Sequence, residues 1–300
     1  MTKPFLKSAI AVFFIALTLL LGACTSSPGG GLFPSASTAT PTATLTPSST
    51  PVPLAASVNG EAITQADFEA EVARYQQAQT GLGKSVDADT AQKTVLTNME
   101  DTLLLAQAAA SYGYVVDDTT LQTHLDTLTS QVGGADGLST WEAAHGYSDS
   151  TFRSALRLEL AAAWMRDKVT ASVPATAEQV HVKQILLYNA SDAQQALGYL
   201  QAGWTFPDLA AQYDPIAKGE LGWFPRGYLP EQAIEEAAFA LQPGQYSTVI
   251  QDGTGYHILY LVERDPARQL SPDALLTLQA KALQDWLTQR RSESTIVTGP

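Results

Sequence analysis

The 300-residue sequence has a single cysteine, Cys24, and only four histidines, His124, His145, His181 and His257. One cysteine closes no disulfide within the chain. The histidines lie far apart with no i, i+4 pair, so no metal-binding constellation is present and no cofactor is expected. A Gly-x-Ser-x-Gly nucleophile motif is also lacking. Basic residues are scarce, 17 against 30 acidic ones, for a formal net charge of −13. That balance argues against a nucleic-acid partner, which would want a basic face, and against electrostatic adhesion to anionic lipid. Long apolar runs are rare too. The one at Ala9–Ala23 is short for the ~20 residues that span a bilayer. A further stretch, Lys218–Gly227 (KGELGWFPRG), has the glycines of a phosphate-binding loop but not its Lys-Ser/Thr ending.

What is there begins with a signal. Lys3 and Lys7 precede the apolar run, and small residues follow it, the pattern of a secretory signal over residues 1–23. Its end, LGAC at Leu21–Cys24, resembles the bacterial lipobox, in which the cysteine is acylated and becomes the mature N-terminus. The resemblance implies that Cys24 carries a lipid and that the protein is extracytoplasmic and held at a bacterial membrane. Residues 25–56 contain no charge and are dominated by Ser, Thr, Pro, Gly and Ala. They hold too little large apolar surface to offset ordering entropy, so residues 24–56 read as a disordered tether. Such a coil reaches roughly 30 Å at rest and about 100 Å when stretched.

From Val58 the pattern is helical. Thr64 and Asp67 form a capping-box-like start, and Phe68, Val72 and Tyr75 follow at i, i+4, i+7. Further stripes are Val95, Met99, Leu103, then Leu121, Leu125, Leu128, Val132, then Phe152, Leu156, Leu160, Trp164. These are core positions of packed helices. Pro174 closes the segment, giving a helical domain over 57–174. At Val180 the style changes. VHVKQILLY reads as a strand, and Ala193, Ala196, Leu197 and Leu200 mark a helix. Thr205 with Pro207 starts another helix, and Pro230 a third. QYSTVIQ and GYHILYLVE are strands joined by a tight DGTG turn. The order β-α-α-β-α-β-β is followed by an amphipathic helix from Ser271-Pro272, with Leu275, Leu278, Ala282 and Trp286 on one face. The fold class is α+β.

The segments GWTFPDLAAQY, GELGWFPRG, EEAAFALQPGQYS and GYHILYLVE, in this order across residues 180–265, resemble the parvulin family of peptidyl-prolyl cis-trans isomerases, assigning a domain to 176–268. The wider arrangement, with VNGE, Ile63-Thr64 and Phe68 opening the helical part, resembles SurA- and PrsA-type foldases. That likeness implies a SurA-N-like helical chaperone domain completed by the C-terminal helix, 271–291. It also implies partners: unfolded or newly exported polypeptides with Xaa-Pro bonds.

The parvulin resemblance implies a small apolar pocket for a proline ring. Leu221, Leu229 and Ile234 fall at its wall, although position 234 is often aromatic in the family. It implies a polar floor of two histidines and a Cys or Asp. His257 matches the second histidine, and Thr254 matches a common Ser or Thr. Asp214 is the candidate acid, in a loop about two residues short of the family's. At the first histidine position this chain has Gln184, which still donates and accepts a hydrogen bond. His181 falls on the opposite strand face by period-two counting. Two functions follow: a membrane-tethered extracytoplasmic isomerase, or a parvulin-like chaperone, weak or inactive in catalysis, that binds unfolded chains.

Overall fold

The computed structural model describes residues 52–299; the signal, Cys24 and most of the tether lie outside the described residues. In chain order the elements are β1 (Leu54–Val58), β2 (Glu61–Thr64), α1 (Gln65–Gly81), α2 (Ala88–Ser111), α3 (Asp118–Gln131), α4 (Ala135–Ala144), α5 (Asp149–Thr170), β3 (Thr176–Leu187), α6 (Ala190–Gln201), α7 (Phe206–Tyr213), β4 (Glu220–Pro225), α8 (Gln232–Ala240), β5 (Ile250–Gln251), β6 (Tyr256–Gln269), α9 (Pro272–Ser292) and β7 (Ile296–Thr298). They form two compact units, one of residues 52–100, 139–148 and 295–299, the other of residues 101–138 and 149–294. No helix among the described residues is long and apolar enough to cross a membrane.

The first unit opens with strands where the sequence pattern reads as helix. Val58 ends β1, and Asn59 (φ 54°) and Gly60 (φ 87°) turn the chain directly into β2. Two successive left-handed residues make the type I′ turn that suits the twist of a hairpin. On its other side β1 pairs antiparallel with β7, giving the order β2-β1-β7. The helix begins where its cap predicts. The Thr64 hydroxyl accepts from the Asp67 amide at 3.1 Å and donates to the Asp67 carboxylate at 2.6 Å, satisfying a donor that the first turn leaves unpaired.

In the second unit, α2, α5 and α9 share one apolar cluster: Leu105, Ala108 and Ala109 with Ala162, Met165 and Val169, covered by Ala282, Leu283, Trp286 and Leu287. The buried side of α5 is Phe152, Ala162, Met165 and Val169; Leu156, Leu160 and Trp164 lie at its half-buried border. Ser271 caps α9 through the Ala274 amide at 3.2 Å, with Pro272 in the first turn. The predicted order β-α-α-β-α-β-β is the observed β3-α6-α7-β4-α8-β5-β6. These strands make an antiparallel sheet in the order β4-β3-β6-β5. The expected strand over 245–251 shortens to two residues, preceded by an isolated bridge between Tyr246 and Tyr260. β6 instead runs on to Gln269, beside the first half of β3.

Alternation along the strands divides the sheet into two faces. Ile185, Leu187 and Ile258 face α6 and α7 and pack on Ala193, Ala196, Leu200, Phe206, Leu209 and Ala210. Val180, Val182, Leu259 and Leu261 face α8 and pack on Ile234, Ala238, Phe239 and Phe224.

Candidate functional site

The polar pair of the site follows from strand register. Gln184 stands opposite Leu259 and Leu186 opposite His257, so Gln184 and His257 are diagonal neighbours on the α8 face. His257 is 5% exposed. Its Nδ1 lies 3.0 Å from Gln184 Oε1, and its Nε2 lies 3.0 Å from both Thr254 Oγ1 and Asp252 Oδ1. A histidine this buried needs a partner on each nitrogen, and it has them.

The apolar wall is on the same face. Leu221 and Leu229, both half-buried, pack with Tyr228 against the cluster that contains buried Ile234. Ile250 packs there too and pairs with His257 across the β5–β6 ladder. Apolar wall and polar floor are therefore adjacent. The wall's loop is held from α8: the Glu235 carboxylate accepts from the amides of Gly227, Tyr228 and Leu229 at 2.7, 3.0 and 3.2 Å.

Asp214 shares no hydrogen bond with His257, Gln184 or Thr254. It ends α7 and organises the loop that follows, accepting from the amides of Ala217 (2.9 Å), Gly219 (3.2 Å) and Ile216 (3.3 Å). Those amides, Ala217 first, hold its carboxyl below the ordinary carboxylate value. The loop meets the site through backbone at Gly219. The Gln184 amide donates to Gly219 O at 2.7 Å, and a Cβ on Gly219 (φ 71°) would lie 2.1 Å from Gln184 O. Only glycine tolerates both the left-handed backbone and that approach.

His181 is outside the cluster. It bonds to Glu220 and stacks on Trp223, whose ring also carries the Arg268 guanidinium at 4.1 Å. Burial pulls Glu220 upward, but hydrogen bonds from His181 and Lys183 outweigh it and hold the carboxyl below its usual value.

The residue that sequence reasoning missed is Asp252. DGTG reads as a hairpin turn, and it is one, since the Asp252 amide donates to Gly255 O at 3.0 Å. The signal available was the aspartate itself, five residues before His257, in a turn short enough to fold its carboxylate back onto the strand that follows.

Residues 167–275 match the family model described as PPIC-type PPIASE domain, and residues 42–137 match the one described as SurA-like N-terminal domain. The chain is 29% identical over 215 residues to "Chaperone SurA" of Methylobacillus flagellatus, covering 59% of this chain and 48% of that protein. It is 33% identical over 122 residues to "Foldase protein PrsA" of Halalkalibacterium halodurans, covering 39% and 34%. The chain thus spans less than half the length of these two relatives. A crystal structure of peptidylprolyl isomerase (PrsA) from Bacillus cereus aligns over 77% of this chain and 82% of that one, at 24% identity and a TM-score of 0.43. The chain carries a SurA-like N-terminal domain followed by a PPIC-type domain of the parvulin kind.

Proposed function

We propose that the protein is a peptidyl-prolyl cis-trans isomerase that assists the folding of exported proteins, tethered outside the cytoplasm by a lipid on Cys24. One observation carries this reading. Within the PPIC-type region, the half-open side chains of Leu221 and Leu229, packed with buried Ile234, form an apolar wall on the same sheet face as a buried, fully partnered His257. In this reading 57–174, completed by 271–291, is the chaperone-like part that holds unfolded polypeptide, and 176–268 is the isomerase. The packing of α9 on α5 supports that division.

The reaction asks little of the site. Rotation about an Xaa-Pro bond crosses a barrier of about 20 kcal/mol, with no covalent bond to make. A pocket that binds the twisted amide better than either planar form accelerates the rotation, and one that binds all forms equally does not. A thousandfold acceleration needs about 4 kcal/mol of such differential binding. Leu221, Leu229 and Ile234 would grip the proline ring and exclude water. His257, held by Gln184, Asp252 and Thr254, would set the polar floor without reorganising as the amide turns. Asp214 would act by shaping the loop against Gln184.

A second reading, a parvulin-like module that binds unfolded chains with little catalysis, is favoured by Gln184, which stands where the resemblance leads one to expect histidine. A protease-coupled assay of the mature chain on short Xaa-Pro peptides separates the two. The isomerase reading expects a rate above the spontaneous one. A spontaneous rate together with retained binding of unfolded protein would establish the second. The tether is tested by fractionation: Cys24→Ala should leave an unprocessed precursor or release the protein from membranes, and unchanged processing with unchanged attachment counts against it.

A further inference from the structure

The turn before β6 brings a carboxylate to His257 that the resemblance does not account for. Four donors converge on Asp252 Oδ1: the Thr254 amide and hydroxyl, each at 2.7 Å, the Gly255 amide at 3.1 Å and His257 Nε2 at 3.0 Å. Its other oxygen, Oδ2, is buried with no hydrogen-bond partner among the described residues. The side chains of His257 and Asp252 are 6% and 12% exposed. The turn itself is pinned, because a Cβ on Gly255 would lie 2.5 Å from Leu187 O at the end of β3.

These contacts fix where the proton of a neutral ring sits. An ionised carboxylate only accepts, so the nitrogen facing it must carry hydrogen. The Thr254 hydroxyl has one proton and gives it to Oδ1 at 2.7 Å, leaving its own oxygen free to accept from the same Nε2–H. A neutral ring with hydrogen on Nε2 presents a lone pair at Nδ1. Among the described residues the side chain bonded there is Gln184, whose amide supplies a donor or an acceptor by a half-turn, its two ends being nearly alike in shape. Gln184 can satisfy either tautomer and so selects neither. Asp252 can satisfy only one.

We propose that Asp252 is a positioning residue of the site: it holds His257 as the Nε2–H tautomer and fixes its ring plane, and this is what allows a glutamine at position 184. The role of Asp252 in rate rests on the isomerase reading; its role in orienting His257 does not. The depressed carboxyl of Asp252, caused first by the Thr254 hydroxyl and aided by the amides and His257, is consistent with a charge kept on that oxygen.

The test separates the charge from the turn. Asp252→Asn keeps a side-chain oxygen for the Thr254 and Gly255 amides and removes the charge; Asp252→Ala removes both. Two-bond proton–nitrogen NMR on histidine-labelled mature protein, with His257 assigned by its own variant and read above the ring's titration, reports the tautomer. Wild type and Asp252→Asn, whose pinned oxygen also only accepts, should show Nε2–H, and Asp252→Ala should give a mixture with Nδ1–H. In the Xaa-Pro assay, Asp252→Asn should lower kcat about three- to tenfold with KM little changed, and Asp252→Ala should lower kcat/KM further. An Nδ1–H tautomer in wild type overturns the proposal. So does an Asp252→Ala protein that keeps the wild-type tautomer while losing rate, which would make Asp252 a turn residue alone. If wild type shows no rate above the spontaneous one, the isomerase reading falls, and the tautomers of wild type and Asp252→Ala still decide the role of Asp252.

Discussion

The two faces of the β4-β3-β6-β5 sheet are built from the same strands and differ in how they are finished. On one face, α6 and α7 seal Ile185, Leu187 and Ile258 under small residues, Ala193, Ala196 and Ala210, and under Phe206 and Leu209. On the other, α8 covers only part of the sheet. Ile234, Ala238 and Phe239 are buried, while Leu221, Tyr228 and Leu229 are left half-open on the face that carries His257. A face that is complete stabilises the domain. A face left incomplete at one edge, with its exposed wall held by hydrogen bonds to a neighbouring helix, keeps apolar surface available for a ligand at some cost in stability.

The comparison breaks most readily at Leu209. This side chain is 1% exposed at the centre of the sealed face, so Leu209→Ala leaves a cavity and should cost about 2–5 kcal/mol. Thermal or chemical denaturation reads this directly. The activity per folded molecule should be almost unchanged. Leu229→Ala should do the reverse. Its partial exposure limits the stability loss to about 1 kcal/mol, whereas removal of pocket wall should lower kcat/KM by about tenfold to thirtyfold, or roughly 1.4–2 kcal/mol. If the two substitutions cost the same stability and neither changes activity per folded molecule, the second face is ordinary core and the pocket lies elsewhere.

A smaller effect should come from Glu235, which touches no wall residue's side chain in the hydrogen-bond pattern yet accepts from three consecutive amides of the wall loop. Glu235→Ala leaves those donors to solvent and lets residues 227–229 move. KM should rise about three- to tenfold, and the three amides should exchange hydrogen faster than in wild type. Protection that stays unchanged while KM rises would mean that Glu235 acts on the substrate itself and not through the loop.

How much of this was legible depends on how local the cause is. The helix starts at Thr64, Thr205 and Ser271 could be read because a cap needs only residues three apart, and each is observed with its hydroxyl accepting the amide three residues on. The order of elements over 176–269 was legible because hydrophobic period changes visibly between strand and helix. The β2-β1-β7 sheet was not, although Asn59-Gly60 is itself a hairpin signal: Ile296–Thr298 joins Ala56–Val58 from the far end of the chain, and no short window contains both. In the site, Leu221, Leu229, Ile234, Gln184 and His257 were reached through the parvulin resemblance, which cannot show what differs in this chain. Asp252 differs, and its part emerges only when the turn is folded back onto β6. Asp214 was reached through the same resemblance, in a loop shorter than the family's, and a resemblance says nothing about which donors a carboxylate will meet.

The smallest effect, and the one that sharpens the comparison most, belongs to Gln184. It lies on the half-open face, opposite Leu259, with its amide 3.0 Å from His257 Nδ1. Twisting an amide moves no proton, so the task at this position is to hold a ring in place, and a glutamine performs it. Histidine would restore a second imidazole able to titrate near neutrality, but in a ladder position already fixed by the β3–β6 register. Gln184→His should therefore change kcat/KM by about threefold in either direction and in any case by less than tenfold, ~1.4 kcal/mol. His257→Ala should cost more, because it takes the ring away from the Gln184 amide and removes one of the four donors on the Asp252 carboxylate in a mostly buried site. The measurement is kcat/KM for wild type and both variants on one Xaa-Pro series. A Gln184→His protein that gains a hundredfold would show that the glutamine had silenced an isomerase, and the half-open face of the natural chain would then be a binding surface first.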